Sequence, residues 1–569
     1  MTRPPRDPDL VSGYPSPAIV DSRRLMGPNL MHPGLGAVLD VMLDDHDTDA
    51  VALVEAWERQ AAGLAAALGW PDAETAVRRY PGGASLFVHA PIDQLMTATE
   101  VCETAWVSAE AVVRGASAAG PDTALPALRA ASDSEASPRL RALWNEGQRL
   151  GLNVTFDDAA LFVGTGAGAT GWPLTLLPKV SEVDWVAIRD IPIVLVTGSN
   201  GKTTVVRMVA AMARAAGHVV GHTCTDGVWI DGARVERGDW SGPAGARRVL
   251  QDPRVTLAVL ESARGGMLRR GLAVQRAAVA AVVTLSPDHF GDYGITDLAA
   301  LAAAKLVVTR AVEETGVLVV NGDVPALRDA IAGYAGRTHL VHADGSAALT
   351  AEELRAIPAT LGGAASHNLL NARIALAVAG ELALPPAAQR ALLVFGADPA
   401  DNMGRLMVQT IGGVTVVVDY AHNPQGVAAL IDATRHLAGH RRAITLATGG
   451  DRDDEALHDI AAAAVRAGVI DLYIAKEMPR FLRGREPGSI SGVLLAALHG
   501  LGVPDGQCAA AADDVAAARL AVQWAQAGDV ILLAVHADRD AVLAFLAELA
   551  RIGWQAGDPV PAWTAGGAG

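Results

Sequence analysis

The residue types best suited to chemistry lie in the segment Val194–Thr204, where an apolar run leads into the sequence TGSNGKTT. Gly198 and Gly201 allow the backbone N–H groups of a turn to approach phosphate oxygens closely. Lys202 would reach the β- and γ-phosphates, and Thr203 would offer its hydroxyl to magnesium. The common loop has a further glycine five positions before Gly201, where this chain has valine. The strand-like run before the turn and the helical sequence after it still predict a phosphate-binding loop.

Two more polar clusters follow apolar runs further along the chain. Glu261 ends one run, and Asp288 and His289 follow the next. Because ligands of an open parallel sheet bind at the carboxyl ends of its strands, we expect these side chains beside the phosphate loop. A carboxylate and an imidazole there are candidate ligands of a second magnesium ion. Taken singly, each is better explained as a helix cap or a satisfied polar group, but together with Lys202 they favour a site.

A second Gly-rich run, Gly164–Ala169, fits the GxGxxA pattern of dinucleotide-binding loops. No convincing strand precedes it, and Trp172 and Pro173 stand where the helix of such a motif should begin. We therefore interpret the segment as a linker.

Composition narrows the class of protein. The chain has 46 Lys and Arg against 62 Asp and Glu, a net charge of -16 that disfavours binding to nucleic acid by general phosphate neutralisation. Cys102, Cys224 and Cys508 lie too far apart to indicate a disulfide framework or a cysteine zinc site. No apolar run of about 18 residues occurs, so we expect a cytoplasmic protein without membrane association.

The 569 residues predict several domains. The first 165 residues have a helical pattern with some strand, whereas short Val/Ile/Leu runs alternate with Ala-rich helical stretches from Ile191 and again after Ala400. That alternation is typical of βαβ units on a buried parallel sheet. We predict an α/β protein with a mixed α+β N-terminal accessory domain, a central P-loop ATPase domain with a parallel sheet and a C-terminal Rossmann-like α/β domain. The predicted boundaries are 1–165, a linker at 166–185, 186–398 and 399–569.

These motifs together resemble the Mur ligases. The matching elements, in order, are TGSNGKTT, Glu261, Asp288-His289, Ala304-Lys305, His367–Asn371, Met403–Arg405 and Asp419–Pro424. Within that superfamily the chain is most similar to the C-terminal ligase half of the cyanophycin synthetases, through Cys224–Gly227, Asp239–Pro243, Asp252–Val255, Glu261–Gly266 and Gly450–Arg452. The resemblance covers roughly residues 185 to 550, with a weaker match at Arg24–Asn29 in the N-terminal domain.

The resemblance implies a ligase that forms an amide bond at the expense of ATP. In that family ATP phosphorylates a carboxylate, an amine attacks the acyl phosphate, and the intermediate collapses to an amide, ADP and phosphate. Such a phosphoryl transfer is catalysed mainly by positioning the reactants and by cations that stabilise the charge on the phosphoryl oxygens. The implied cofactors are ATP and Mg²⁺, and the implied partners are small amino acid or peptide substrates; homo-oligomerisation stays open.

The resemblance also implies roles for particular residues. Lys202, Glu261, His289 and Lys305 are the predicted catalytic residues, with Thr203, Glu261 and His289 as metal ligands and Lys305 at a position where several members carry a carbamylated lysine. The predicted ATP-binding residues are Gly198, Asn200, Gly201, Lys202, Thr203, Thr204, Asn368, Asn371, Arg405, Asp419 and His422. Asp419 and His422 are expected to reach ribose and phosphate only after the C-terminal domain closes.

Arginines are the candidates for binding substrate carboxylates. They are Arg264, Arg480, Arg483 and Arg485. Each has a simpler alternative, because the last three equally fit a solvated loop. Lys305 likewise fits a lysine on a helix surface, and Asn371 fits a helix cap.

Three departures from the cyanophycin synthetases limit the prediction. Only about 20 residues separate Gly171 from the first strand of the ligase part, too few for the ATP-grasp domain that adds aspartate in those enzymes. No histidine occurs between His89 and His218, and Leu285-Ser286 stands where relatives usually place Asn after the Thr. Polymer synthesis from free aspartate and arginine by this chain alone is therefore not expected.

We predict an ATP- and Mg²⁺-dependent ligase that joins an amino acid to an amino acid or peptide carboxylate. One alternative is a ligase resembling folylpolyglutamate synthase. Another is a degenerate nucleotide-binding accessory protein to a separate polymerase, which the presence of Lys202, Glu261 and His289 disfavours.

Overall fold

The computed structural model describes residues 18–44, 49–70, 73–115, 121–287, 290–561 and 563. They fall into two compact units, one comprising Met1–Ala348 with Arg373–Arg390 and the other Leu349–Ala372 with Ala391–Gly569. No helix among the described residues is both long enough and apolar enough to cross a membrane.

The first unit begins with a four-stranded antiparallel sheet covered by helices. Its strands pair in the order β1-β2-β4-β3, and α1 and α2 pack against each other and against the sheet. The bounds are β1 (Ala18–Leu25), β2 (Gly36–Met42), α1 (Ala50–Ala67), β3 (Thr75–Tyr80), β4 (Gly83–His89), α2 (Leu95–Arg114), α3 (Pro121–Glu135) and α4 (Pro138–Arg149). The mixed α+β character predicted for this part is confirmed.

The segment predicted as a linker at 166–185 is packed instead. A three-stranded antiparallel sheet is formed by β5 (Val154–Phe156), β6 (Ala160–Val163) and β7 (Thr170–Pro173). Trp172 and Trp185 pack against the N-terminal core. A β-carbon on Gly166 would lie 2.4 Å from the carbonyl oxygen of Val255, so the glycines serve close backbone approach rather than flexibility. A strand does precede Gly164, but a short 3₁₀ turn and β7 follow it instead of the helix of a dinucleotide site.

The central part of the first unit is an eight-stranded sheet in the order β11-β10-β9-β12-β8-β13-β14-β15. Six strands run parallel from β9 to β15, and β10 and β11 extend the edge as antiparallel strands. The strands are β8 (Ile193–Thr197), β9 (Val220–Cys224), β10 (Gly227–Ile230), β11 (Ala233–Arg237), β12 (Leu257–Glu261), β13 (Ala277–Val282), β14 (Val312–Asn321) and β15 (Arg337–Val341). The uninterrupted apolar runs in the sequence are these strands, because both faces of the sheet are covered.

Helices connect these strands and lead into the second unit. They are α5 (Lys202–Ala215), α6 (Pro243–Leu250), α7 (Arg264–Arg270), α8 (Leu298–Lys305), α9 (Pro325–Ile331), α10 (Ala351–Ala356), α11 (Ser366–Glu381) and α12 (Pro386–Gln389). The boundary between the units crosses α11 after Ala372.

The second unit contains a six-stranded sheet in the order β16-β17-β21-β18-β19-β20, parallel except for β16 at the edge. Alternate residues of its strands enter two separate cores, as Val417 and Val418 do, so helices bury both faces. The elements are β16 (Met407–Ile411), β17 (Val414–Asp419), α13 (Pro424–Thr434), β18 (Arg442–Leu446), α14 (Asp454–Arg466), β19 (Leu472–Lys476), α15 (Ser489–Gly500), β20 (Cys508–Ala511), α16 (Asp514–Trp524), β21 (Val530–Ala534) and α17 (Arg539–Arg551). The predicted α/β class is confirmed for both sheets.

The N-terminal sheet is attached to the central sheet through the segment Arg24–Asn29. The backbone N–H of Met26 donates to the carbonyl of Arg270 at 2.8 Å, and that of Leu272 donates to the carbonyl of Pro28 at 2.7 Å. A β-carbon on Gly27 would lie 2.2 Å from the carbonyl oxygen of Leu272. The weak sequence match of this segment therefore marks a tight backbone contact within the first unit.

Replacing Trp57 should destabilise the N-terminal part. Its side chain is fully buried on α1, and its indole N–H donates to the carbonyl of Cys102 at 3.1 Å. Trp57→Ala should lower the free energy of unfolding by about 3–5 kcal/mol, since it leaves a cavity and removes a hydrogen bond. Urea denaturation followed by circular dichroism measures this change. Val51→Ala, on the exposed side of the same helix, should change it little; equal effects would contradict the assigned packing.

Candidate ligase site

The predicted phosphate loop lies between β8 and α5, as the sequence predicts. Gly198 has φ +151° and Gly201, at the helix N-cap, has φ +84°. A β-carbon on Gly198 would lie 2.9 Å from the backbone nitrogen of Thr284. Both glycines are thus required by the backbone itself, and the strand–turn–helix context of a phosphate loop is present.

The turn is fixed by the segment that leaves β13. The hydroxyl of Thr284 accepts from the N–H of Asn200 at 2.8 Å and donates to its carbonyl at 2.9 Å. The N–H of Ser199 donates to the carbonyl of Thr284 at 2.9 Å, and its hydroxyl donates to the carbonyl of Ser286 at 3.1 Å. The loop shape is therefore set by a neighbouring strand end. Sequence reasoning missed Thr284, although a polar residue closing the run AAVAAVV was a signal for it.

Lys202 folds back over the same turn. Its ammonium donates to the carbonyl of Gly198 at 3.0 Å and to that of Ser199 at 3.2 Å. The side chain is half-buried. A cation is thus held at the mouth of the loop, where a phosphate would need it.

Thr203 and Glu261 meet in the interior of the first unit. Their side chains are buried, and the Thr203 hydroxyl donates to Oε2 of Glu261 at 2.7 Å. The contact follows from strand order, because β12 pairs in parallel with β8 and Glu261 lies opposite Val196. The N–H of Glu261 also donates to the hydroxyl of Thr223 at 3.1 Å.

The chemistry of this pair fits magnesium. A carboxylate and a hydroxyl are hard oxygen donors, and Mg²⁺ is usually bound by one or two such groups together with substrate phosphates and water. Among the described residues, no group of three or more His, Cys, Asp and Glu side chains could form an all-protein cage. The first unit therefore carries a donor pair suited to a metal that arrives with a nucleotide. Asp288 and His289 lie outside the described residues.

Lys305 is at the end of α8 and only 4% exposed. This burial excludes the alternative of a helix-surface lysine. Arg264, at the start of α7, is also buried and donates to Oδ2 of Asp292 at 2.7 Å. Its guanidinium thus already has an acidic partner within the protein.

A small cavity lies next to Glu261. It is lined by Ser241, Pro243 and Ala263 among others, and the N–H of Ala263 donates to the carbonyl of Ser241 at 2.8 Å. The two sequence segments Asp239–Pro243 and Glu261–Gly266 therefore meet beside the buried carboxylate.

A second buried charge pair supports the helix that follows the loop. Arg207 of α5 donates to Oδ2 of Asp226, and both side chains are buried. His222 stacks on Trp229 nearby with 5.8 Å between ring centroids. Burial lowers the pKa of His222 to about 3, so this histidine is neutral near pH 7 and Asp226 supplies the charge that matches Arg207.

In the second unit, Asn368 and Asn371 contact each other on α11. The amide of Asn371 donates to Oδ1 of Asn368 at 3.0 Å, and the amide of Asn368 donates to the carbonyl of Ala359 at 2.7 Å. Asn371 lies inside the helix rather than at its start, which contradicts its interpretation as a cap. Burial lowers the pKa of the preceding His367.

Asp419, Arg405 and His422 gather where β17 ends. Oδ2 of Asp419 accepts from the N–H of Leu406 at 2.7 Å, and the guanidinium of Arg405 stacks 4.1 Å from the centroid of the Tyr420 ring. His422 Nδ1 lies 3.0 Å from the carbonyl oxygen of Tyr420. The structure thus brings three predicted nucleotide-binding residues into one loop cluster of this unit.

Beneath that loop lies a buried charged cluster that sequence reasoning missed. Lys476, Asp514 and His536 are each less than a tenth exposed, and the Lys476 ammonium contacts Asp514 at 2.6 Å and His536 Nδ1 at 2.9 Å. Burial, followed by the charge of Lys476, lowers the pKa of His536. The neutral ring then donates through Nε2 to the carbonyl of Ala421, 3.0 Å away. The sequence signal that could have indicated this cluster was a polar residue directly after an apolar run, as at Lys476 and His536.

The anion at the centre of this cluster is strongly held. Burial raises the pKa of Asp514, but the charge of Lys476 and the hydrogen bonds from Lys476 and the backbone lower it by more, so the net shift is downward. Its carboxylate accepts the N–H groups of Ala537 at 2.7 Å and Asp538 at 2.8 Å.

The three arginines of the segment 480–485 differ in their surroundings. Arg480 is exposed and lies 3.6 Å from Asp538, and Arg483 is exposed with φ +53°. Arg485 instead donates to the carbonyls of Gly450 and Arg452 and to a carboxylate oxygen of Asp454. The side chains of Arg480 and Arg483 are thus exposed, whereas Arg485 fastens the loop that contains Gly450–Arg452.

Comparison with known proteins agrees with these features. The profile of the Mur ligase middle domain matches residues 196–379, and that of the Mur ligase glutamate ligase domain matches residues 404–535. A cyanophycin synthetase from Crocosphaera subtropica is 34% identical over 334 residues, covering 54% of this chain and 38% of that protein. The chain thus aligns with about two fifths of the length of that relative.

Two further similar proteins align over a larger share of their own length. A UDP-N-acetylmuramate–L-alanine ligase from Kineococcus radiotolerans is 31% identical over 366 residues, covering 60% of this chain and 70% of that protein. The crystal structure of a bifunctional folylpolyglutamate synthase/dihydrofolate synthase with Mn, AMPPNP and L-glutamate bound has a TM-score of 0.46 and 22% identity, covering 62% of this chain and 89% of that one.

Two findings agree on the family of this chain. Both Mur ligase profiles match it, and its alignment with the alanine ligase covers 70% of that protein. The chain belongs to the Mur ligase family, whose members are ATP-dependent acid–amino-acid ligases that form C–N bonds.

Proposed function

We propose that this chain is an ATP- and Mg²⁺-dependent carboxylate–amine ligase that joins an amino acid to an amino acid or peptide carboxylate through an acyl phosphate. The observation that carries the proposal is the buried contact of 2.7 Å between Thr203, at the phosphate loop, and Glu261, at the end of the adjacent strand. It combines an anion-binding turn with a cation-binding pair, which a nucleotide–metal complex requires.

In the first step a carboxylate oxygen of the acceptor attacks the γ-phosphorus of ATP. The bond to the bridging oxygen breaks, and ADP leaves. Negative charge moves between oxygens, so catalysis depends on cations and N–H donors fixed in advance. Lys202 and the N–H groups of the turn at Gly198–Gly201 would supply them. The ammonium that now bonds the carbonyls of Gly198 and Ser199 would turn to the transferring phosphoryl group.

Thr203 and Glu261 would hold the metal ion, with His289 as a further ligand. When bound, Mg²⁺ supplies charge that stabilises the phosphoryl oxygens. Lys305 would support the metal as a carbamate, and its burial on α8 is compatible with an anionic group that acts inside the site.

In the second step the amine nitrogen attacks the acyl carbon and phosphate leaves, while the nitrogen gives up a proton. Arg480 and Arg483 are the proposed partners of the carboxylate of the amino substrate, because both are exposed. Asn368, Asn371, Arg405, Asp419 and His422 keep their proposed role in binding the nucleotide. Arg405 stacks on Tyr420, which holds its guanidinium in one place.

One kind of ligation is proposed rather than two in alternation. Between β7 and β8 the chain has 3₁₀ turns at Leu174–Leu176 and Val180–Glu182 and no further sheet, so no ATP-grasp domain stands there. The acceptor must therefore arrive as a finished carboxylate.

The direct test is a screen of paired substrates with purified protein. Amino acids and short peptides serve as carboxylates and amino acids as amines, with ATP and Mg²⁺. We expect ADP and phosphate release that requires both partners, and a product whose mass equals their sum less one water. Release that needs neither partner would contradict the proposal.

Lys202→Ala should abolish ligation without unfolding the protein. The substitution removes the cation from the transferring phosphoryl group but lies on a half-buried turn, so turnover should fall by about 100-fold or more. Lys179→Ala, a substitution of an exposed lysine of the same unit, is the matched control. Turnover like that of the wild type in Lys202→Ala would refute the assignment of the loop.

Lys305→Ala should cripple activity, and bicarbonate or a short carboxylic acid should restore part of it. The added acid would replace the anionic oxygen that a lysine carbamate provides near the metal. Initial rates with and without the acid measure the rescue, and Lys202→Ala treated in the same way should gain nothing. An unchanged rate in Lys305→Ala would exclude a catalytic role.

Calorimetric titration should show one nucleotide site per chain. The run Gly164–Ala169 is folded into packed backbone contacts, which leaves the turn at Gly198–Gly201 as the proposed phosphate site. Binding should vanish in the double variant Gly201→Ala with Lys202→Ala. It should persist in Gly63→Ala, where an added β-carbon meets no atom within 4 Å. Two sites per chain, or incorporation of two free amino acids in alternation, would contradict the single-ligation proposal.

A further inference from the structure

A short turn in the first unit, Gly291–Gly294, is held in an unusual backbone conformation. Gly291, Tyr293 and Gly294 have φ of +99°, +52° and +65°. A positive φ is strained for tyrosine and persists only where surrounding contacts enforce it. In the sequence the turn begins two residues after His289 and precedes α8, which ends at Lys305. It therefore connects His289, the proposed further ligand of the metal ion, with Lys305, the proposed support of that ion.

The central part of the unit holds this turn from one side. Arg264 donates to Oδ2 of Asp292 at 2.7 Å, and Nε of Arg269 donates to the Tyr293 hydroxyl at 3.3 Å. Both arginines come from α7, which begins three residues after Glu261. The turn is thus tied to the strand that carries the buried carboxylate.

The N-terminal sheet holds the same turn from its other side. Arg78 of β3 donates to the carbonyl of Tyr293 and to that of Gly294, the latter at 3.1 Å. Hydrogen bonds from a guanidinium to carbonyl oxygens are stronger than those between neutral groups. A β-carbon on Gly294 would lie 2.3 Å from the Tyr80 ring, so the two surfaces are in full contact.

Arg23 of β1 completes the contact. Its guanidinium lies 4.6 Å from the centroid of the Tyr293 ring. Arg23 is itself fixed, because it is buried, pairs with Asp40 and with Asp21 at 3.0 Å, and donates to the carbonyl of Leu268 at 3.2 Å. A cation held in this way over an aromatic face restricts the ring. Four arginines, two from each part of the unit, thus define one turn.

We propose that the N-terminal sheet is a positioning element for the ligase site, acting through Arg78 and Arg23 on the turn Gly291–Gly294. Arg78 is a positioning residue that fixes the turn preceding α8. This inference rests on the proposed function for the metal site. The N-terminal domain would then contribute to the reaction by holding this turn in place.

The first measurement tests the contact itself, independently of any ligand. Hydrogen–deuterium exchange of the peptide covering 290–297 is compared between wild type, Arg78→Met and Arg79→Met. Arg79 is the neighbouring arginine on the exposed face of β3, so its variant is the matched control. Exchange should become about tenfold faster or more in Arg78→Met only, because two charged hydrogen bonds to the turn are lost.

The second measurement tests the consequence for the site. Mn²⁺ binding in the presence of AMPPNP, followed by electron paramagnetic resonance, requires no amino substrate. The dissociation constant of Mn²⁺ should rise about tenfold or more in Arg78→Met, with the melting temperature checked in parallel, and should stay unchanged in Arg79→Met. If Arg78→Met does not fold, Arg78→Gln is measured in its place.

The outcomes are distinguishable. Faster exchange with unchanged Mn²⁺ binding, or no effect of Arg78→Met beyond that of Arg79→Met, would overturn the positioning role while the proposed function stands. Wild-type protein that binds no Mn²⁺ with AMPPNP would overturn the proposed function and this inference together. Faster exchange with weaker Mn²⁺ binding supports both.

Discussion

The parallel pairing of β12, β8 and β13 is the constraint on which the candidate site depends. Strands paired in parallel end at the same edge of a sheet. The turn after β8, the carboxylate that ends β12 and Thr284, which follows β13, therefore lie at one edge. The hydroxyl of Thr203 then reaches Glu261, and Thr284 reaches the backbone of Asn200. Apolar residues bury both faces of the sheet behind this edge.

The first unit also holds its N-terminal sheet tightly against its central part. Backbone hydrogen bonds at Met26 and Leu272 attach the N-terminal sheet to the central sheet, and Arg23 and Arg78 extend that attachment to the turn at Tyr293. Tyr293 keeps its strained backbone conformation because contacts from two directions enforce it.

In the second unit, a buried charged cluster holds a loop in place. The cluster of Lys476, Asp514 and His536 is buried, and the Lys476 ammonium contacts both other side chains. His536 in turn bonds the carbonyl of Ala421 and so holds the backbone of that loop. Breaking one member of such a cluster leaves an unpaired buried charge, which is costly. The loop with Asp419 and His422 therefore rests on a fixed support, although none of the three buried residues belongs to the predicted site.

The sequence by itself determined the family, the α/β class and the strand–turn–helix at TGSNGKTT, because apolar runs, glycines and short motifs are local patterns that a single chain segment carries. It placed Glu261 at the end of a strand, as the structure confirms, but left the surface alternative for Lys305 open, since burial depends on distant residues. Only the tertiary structure decided that 166–185 is packed, that Arg485 is engaged within the protein, and that Thr284, Arg78 and His536 bond to distant parts of the chain. Their partners lie 84, 215 and 115 residues away, and contacts over such separations arise from strand order and docking, which no local pattern encodes.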